Sequence, residues 1–169
     1  MNMKKIALDL NDYADDLNSK FLTFSLTNEE YGIGIMKIKE IIGMMPITKV
    51  PQTPDFVKGV INLRGKVIPV IDLRLRFQLD AMDYTDRTCI IVVEVEIEKG
   101  ILTMGLVVDS VSEVLPINNK DIEKAPSFGT KVNTTYILGI AKSEKRVMIL
   151  LDIDKILSME EMETLQEHA

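Results

Sequence analysis

Asn62-Leu-Arg-Gly-Lys-Val-Ile-Pro-Val-Ile-Asp-Leu73 is an apolar strand entered through an arginine and a glycine. Residues 60–63 read as the incoming strand and residues 66–73 as its return, so Arg64-Gly65 stands where the hairpin turns. Gly65 is expected to supply a positive φ at that turn. Arg64 is then held out to solvent by two stiff strands. A fixed, exposed guanidinium suits recognition of another protein's carboxylates. The alternative is that Arg64 pairs with a neighbouring carboxylate of its own chain and pins the loop.

The same pattern extends in both directions. Residues 21–26 and 31–35 make a hairpin about Asn28-Glu29-Glu30. Residues 36–40 read as one helical turn, and Ile41-Ile-Gly-Met-Met45 as a strand stopped by Pro46. Pro51 and Pro54 punctuate a loop that leads to Phe56. Residues 89–97 are a long β-branched run, turned by Glu98-Lys99-Gly100 and answered by residues 102–108. Residues 111–115 precede Pro116, and residues 136–141 and 146–151 form a last hairpin. Short strands, frequent turns and few long helices predict an all-β barrel architecture. Two helical pieces are predicted, a short one at 72–77 and a longer one from 153 onward, broken at Ser158. There Ser158-Met-Glu-Glu161 fits a capping box, with Met162 and Leu165 on one face. Residues 1–20 are acidic and weakly periodic, an arm that is either flexible or a frayed helix. Residues 159–169 form the C-terminal helix or tail.

The chain is internally duplicated. Gly32-Ile-Gly-Ile-Met-Lys-Ile-Lys-Glu-Ile-Ile42 lies without a gap over Gly105-Leu-Val-Val-Asp-Ser-Val-Ser-Glu-Val-Leu115. Phe56-Val-Lys-Gly-Val60 lies over Tyr136-Ile-Leu-Gly-Ile140, and Val67-Ile-Pro-Val-Ile-Asp-Leu73 over Val147-Met-Ile-Leu-Leu-Asp-Ile153. What both halves share is expected to serve the fold. Gly59 and Gly139 then mark one bulge or close approach, and Asp72 and Asp152 are N-caps. Glu40 and Glu113 coincide as well, which assigns Glu40 to a backbone or turn partner. What only one half has is a candidate for function. Asn62-Leu63-Arg64-Gly65 falls on Lys142-Ser143-Glu144-Lys145, and Lys58 falls on Leu138.

The composition excludes several classes. The chain has 169 residues, 46% hydrophobic and 27% charged, which describes a globular protein of one domain or two small ones sharing a core. Its net charge of -6 disfavours nucleic acid and anionic membrane surfaces. No apolar run approaches the roughly 20 residues that span a bilayer, and the first residues have no signal-type apolar core. The cytoplasm is therefore the expected compartment. Cys89 is the only cysteine and His168 the only histidine, so no disulfide, thiolate metal cluster or Cys–His or Ser–His pair is expected. Gly32 and Gly34 lack the third glycine of a dinucleotide loop, and no Walker-type lysine follows a glycine loop. Neither catalysis, a metal nor a cofactor is predicted.

With these motifs in view, the chain resembles the CheW family of bacterial chemotaxis coupling proteins. The resemblance is carried by Asn62–Gly65 with Val67–Leu73, Glu30-Tyr-Gly-Ile33, Lys37-Ile-Lys-Glu-Ile41, Thr53-Pro54 with Phe56-Val-Lys-Gly59, and Val107-Val-Asp109 with Val111-Ser-Glu-Val114. These motifs keep the family's order across about residues 20 to 158, and their combination is specific where each alone is weak. The resemblance implies two intertwined SH3-like barrels of five strands each within residues 21–158. It also implies a non-catalytic adaptor that bridges the cytoplasmic tips of transmembrane chemoreceptors to the regulatory domain of the histidine kinase CheA. Such an adaptor is cytoplasmic, recruited to the membrane face by receptor arrays, and is expected to be a monomer in isolation. By the same carry-over Arg64 faces the receptor tip, with Ile38, Glu40 and Lys58 in or beside its groove. Phe128 matches a position used against kinase-type domains, with a loop aromatic tucked onto the barrel as its alternative. Met44 and Met45 are a further kinase-facing candidate, with core burial as theirs.

Two readings compete with a stand-alone adaptor: a coupling domain fused to a receiver, and the kinase's own regulatory domain. A receiver needs roughly another 100 residues. A small enzyme is the rival from another class, and it lacks a histidine and a nucleophile on a rigid core.

Overall fold

The structure is a computed structural model that describes residues 19–126, 134–143, 146–158, 160, 161 and 165. Most of the N-terminal arm, Phe128, the Glu144-Lys145 tip and Met162 lie outside the described residues.

Among the described residues the chain makes eleven strands. The first half supplies β1 (Lys20–Leu26), β2 (Glu29–Gly34), β3 (Ile38–Gly43), β4 (Val57–Leu63) and β5 (Lys66–Asp72). The second supplies β6 (Cys89–Ile97), β7 (Gly100–Val108), β8 (Ser110–Pro116), β9 (Ile122–Glu123), β10 (Ile137–Ser143) and β11 (Arg146–Leu151). A four-residue helix α1 (Leu73–Arg76) follows β5, and 3₁₀ turns occupy Ile35–Lys37, Asn119–Asp121 and Ile153–Lys155. The protein is all-β, as predicted.

The two halves do not fold separately. One sheet runs β3-β6-β7-β5-β4 and the other β8-β1-β2-β11-β10-β9. Each sheet takes its first hairpin from one half and its remaining strands from the other. The halves meet in four pairs: the central joints are parallel, β5 with β7 and β11 with β2, while β3 with β6 and β1 with β8 are antiparallel. Val70 stands opposite Gly105 at one joint and Leu150 opposite Gly32 at the other, and these are equivalent places in the repeat. The connections explain the exchange. Asp109 alone separates β7 from β8, too little chain for a reversal within one sheet. The 3₁₀ turn Ile35–Lys37 likewise carries β2 out of its sheet and into β3.

The strands of the joints are apolar on both faces because each face meets a different core. In β6, Ile90 and Val92 fill the first barrel with Ile61, Ile68, Val70 and Val107. Ile91, Val93 and Val95 point the other way, into a shared core with Phe24, Ile33, Leu106 and Leu151. Phe21, Ile117, Ala141, Met148 and Leu150 fill the second barrel. Four rings stack through the shared region, Phe24 on Tyr31, Tyr31 on Phe77 and Phe77 on Tyr136, with centroids 5.7, 6.0 and 4.8 Å apart.

Both barrels are closed the same way. In the first, Thr48 exchanges two 2.9 Å backbone hydrogen bonds with Val60 of β4. In the second, β9 pairs with Ile140 and Ala141 of β10. The second sheet therefore has six strands where five were expected, because its closing segment is two residues long rather than one bridge. Both closures sit beside a bulge, between Val57 and Gly59 in β4 and between Ile137 and Gly139 in β10.

Two boundaries differ from the sequence reading. The segment 36–40 is not a helical turn: the 3₁₀ turn ends at Lys37 and β3 begins at Ile38. Met44 and Met45 accordingly lie beyond the end of β3. The apolar spacing of Ile35, Ile38 and Ile42 imitates a helix because a bulge interrupts the alternation of the strand. Ile38 and Glu40 stand opposite adjacent residues, Val93 and Val92, so faces switch at Lys39. The C-terminal piece does carry its capping box. Ser158 N–H donates to Glu161 Oε1 at 2.8 Å, and Glu161 N–H donates to Ser158 Oγ at 3.1 Å. Leu165 is buried in the shared core.

Candidate functional site

The β4–β5 hairpin turns on two residues. Leu63 pairs with Lys66, and Arg64 and Gly65 between them have φ of 53° and 86°. Positive φ at both positions is the type I′ geometry whose twist matches the strands. Gly65 accepts it freely. Arg64 does not, since a Cβ in the left-handed region crowds the backbone. Asn62 Oδ1 accepts the Gly65 N–H at 2.8 Å and braces the turn.

The hairpin tip stands at the mouth of the first barrel, and closure through Thr48 brings β3 within its reach. The Arg64 guanidinium donates to Glu40 Oε1, from a side chain that is 67% exposed to one that is 27% exposed. Glu40 shares its face with Ile42, which packs on the barrel interior, so the carboxylate is rooted while the arginine remains accessible. The structure thus gives Arg64 the own-chain carboxylate partner of its alternative reading, while most of its side chain stays exposed. Glu40 meets the side chain of a turn residue, the turn partner that the repeat assigns to it.

The other candidates are placed differently. Ile38 is half-buried on the shared core. Lys58 sits at the far end of β4, six residues or about 20 Å from Arg64 along an extended strand. It lines a groove of about 790 Å³ with Ile47, Val50, Pro51, Thr53 and Tyr84. Met44 and Met45 are half-buried and pack on the first barrel's interior. Gly59 lies where the Thr48 carbonyl crosses, and a Cβ built there would fall 2.1 Å from that oxygen. Asp72 caps α1 by accepting the Leu75 N–H at 3.4 Å, and Asp152 accepts the Asp154 N–H at 3.2 Å in the equivalent place. Both aspartates also donate their own N–H, at 2.8 Å, to equivalent carbonyls, Phe56 and Tyr136.

Three groups around this framework have no role assigned from the sequence, Asp109 entering only as part of a motif. Buried Arg74 of α1 donates Nε and Nη2 to the two carboxylate oxygens of Asp109, each at 2.6 Å, and Nη1 to the Asp80 carbonyl at 3.0 Å. It thereby ties the crossing helix to the β7–β8 joint. Burial pushes the Asp109 carboxyl up, but the Arg74 hydrogen bond, the Thr27 N–H and the Arg74 charge outweigh it and hold it below its ordinary value. Tyr84 donates to Asp72 Oδ2 at 3.4 Å, and burial, with the Asp72 charge and hydrogen bond behind it, pushes the phenol up to about 12. Arg74 lies just past one aligned segment and Asp109 within another, over Met36, in different halves, so only the folded chain pairs them.

The second barrel supplies a comparison within one molecule. Glu113, the counterpart of Glu40, is met at 3.5 Å by Arg146, which also grips Glu30 at 2.7 and 3.0 Å. Arg146 occupies the place of Lys66, not that of Arg64. Both barrel mouths therefore join a β3-type glutamate to an arginine, but only in the first does the arginine come from the turn itself.

The model of the CheW-like domain matches residues 20–161. This chain belongs to the CheW-like domain family. It is 43% identical to "Chemotaxis protein CheW" of Klebsiella aerogenes over 88% of its own length and 87% of the relative's. It is 35% identical to the protein of the same name from Bacillus subtilis, over 83% and 88%. Among solved structures it superposes on "scaffolding protein TtCheW" from Thermoanaerobacter tengcongensis with a TM-score of 0.73 at 39% identity, covering 83% of this chain and 88% of the other. Among the described residues of this CheW-like chain no helix is long and apolar enough to cross a membrane. None of the described His, Cys, Asp and Glu residues cluster in threes that could hold a metal ion.

Proposed function

We propose that the chain is a non-catalytic chemotaxis scaffold that couples the cytoplasmic helical tips of transmembrane chemoreceptors to the histidine kinase CheA. Family membership and the names of its relatives support the scaffold role. The observation that carries the receptor contact is Arg64, an exposed arginine standing where the turn itself favours asparagine or glycine. A residue that strains the backbone while leaving its charge accessible fits a group kept for recognition.

In this reading a receptor helix lies against the mouth of the first barrel. Arg64 and Glu40 set register by pairing with charges on the helix, and Ile38, at the start of β3 on the opposite face from Glu40, adds apolar grip only where the helix also covers that end of the strand. Lys58, at the other end of β4, reaches the same helix only if it runs along the strand. Phe128 is assigned to the contact with the regulatory domain of CheA, together with what Met44 and Met45 leave exposed beside the first barrel, and the protein is cytoplasmic, brought to the membrane face by its partners.

The test is co-sedimentation of the purified chain with a receptor signalling fragment and CheA. Arg64→Ala is expected to weaken the receptor contact by about 1–3 kcal/mol, as hot-spot arginines do, without unfolding the protein. A folded Arg64→Ala protein that binds the receptor fragment like the wild type sinks the role given to Arg64.

A further inference from the structure

We propose that Asn62 is a positioning residue for Arg64, a role that rests on Arg64 being the receptor-facing group. Its side-chain oxygen holds the left-handed turn from which the guanidinium is presented over the first barrel.

A two-residue type I′ loop ordinarily carries Asn-Gly, because the asparagine amide supports its own left-handed backbone. Here the glycine is in place, but the first position holds Arg64, whose side chain gives no such support. The polar group that stabilises the turn stands two residues earlier. Asn62 Oδ1 accepts the Gly65 N–H at 2.8 Å, on the exposed end of β4 opposite Val67. Support and recognition are thereby divided between two residues. Moving the amide to position 62 frees position 64 for a cation.

The duplication bears on this assignment. The place of Asn62 in the second half is taken by Lys142, which pairs with Glu123 at 2.6 Å and carries no side-chain acceptor. A barrel of this kind therefore closes without an asparagine there. Asn62 goes with the arginine-bearing turn, not with the barrel. Losing its acceptor removes the penalty for leaving the left-handed state. A relaxed turn splays β4 from β5 and carries the guanidinium away from Glu40. Receptor affinity then falls by the fraction of molecules that no longer present Arg64.

The experiment is a mutant cycle on the full chain, read by receptor-fragment binding, CheA binding, thermal melting and the Gly65 amide signal in NMR. Asn62→Ala is expected to weaken receptor binding about fivefold, the worth of one exposed hydrogen bond, and to expose the Gly65 N–H to exchange. CheA binding stays unchanged. Asn62→Asp, which keeps the accepting oxygen, restores both receptor binding and Gly65 protection. In an Arg64→Ala background Asn62→Ala produces no further loss, since nothing remains to position. Wild-type receptor affinity in Asn62→Ala overturns the proposal, and so does an equal loss in both backgrounds. Should Arg64→Ala itself bind like the wild type, the receptor reading falls together with this use of Asn62. Gly65 protection then still decides whether Asn62 holds the turn.

Discussion

Gly59 and Gly139 occupy one position of the repeat, and the two barrels make opposite demands on them. A Cβ at Gly59 would lie 2.1 Å from the Thr48 carbonyl oxygen and 2.7 Å from its carbon, both backbone atoms, at a φ of 141°. Alanine there carries a strained backbone, about 1–3 kcal/mol. It also pushes the Thr48 strand off β4, and the two closing hydrogen bonds are worth about 1 kcal/mol each. The expected cost of Gly59→Ala is about 3–5 kcal/mol. At Gly139 the nearest atom is Ile122 Cγ2 at 2.5 Å, a side-chain methyl on the two-residue strand β9 rather than backbone, and the Glu123 oxygen is 3.0 Å away. No left-handed φ adds to it, so Gly139→Ala should cost about 1–3 kcal/mol, the range of ordinary overpacking. Urea unfolding of both variants, compared at constant m, measures the difference as a shift in midpoint. A Gly139→Ala protein as damaged as Gly59→Ala would refute the assignment of the first barrel's closure to a backbone-on-backbone contact, as would a Gly59→Ala protein within 1 kcal/mol of the wild type by the stated ranges.

Arg64→Asn restores the residue that a type I′ turn prefers and gives up an exposed ion pair worth at most about 1 kcal/mol, so the variant should be more stable by about 0.5–1 kcal/mol while losing receptor affinity. Thermal melting and receptor pull-down should move in opposite directions; a variant that melts below the wild type contradicts the strain assigned to Arg64. Acid should loosen the joint between the halves. The Asp109 carboxyl is depressed in the folded state, so its contribution is fully present above the ordinary aspartate value and is lost as pH falls through the folded value. The stability of Asp109→Asn should therefore depend less steeply on pH below that ordinary value than the wild type's, as followed by urea midpoints across an acid series.

Much of the local structure is legible in the residues. The β-branched run of β6, the Arg-Gly turn and the strand β11 appear where the sequence reading puts them. The Asp72 and Asp152 carboxylates reach the N–H groups of the following turn, and the Ser158–Glu161 box is reciprocal. These depend on interactions within about four residues, which spacing expresses directly. The misread segment 36–40 lost its period-2 signal to a bulge. The site is legible by halves: the duplication singles out Arg64, but it groups Glu40 with the fold and leaves Arg74, Asp109 and Tyr84 without a role.

By itself the sequence determined that the chain is all-β, that it is a duplication, and that the tip of its first duplicated hairpin differs from the tip of the second. Only the tertiary structure decided which strands share a sheet. Both halves carry the same apolar faces, so β2 could satisfy β5 or β11 equally well by pattern; the single residue Asp109 and the short 3₁₀ turn at Ile35–Lys37 send β8 and β3 across to the other half. That exchange, with closure through Thr48, is what sets Glu40 beneath Arg64 from 24 residues away. The pairing of two charges across a barrel mouth has no periodicity in sequence, because it depends on where strands end up and not on how they alternate.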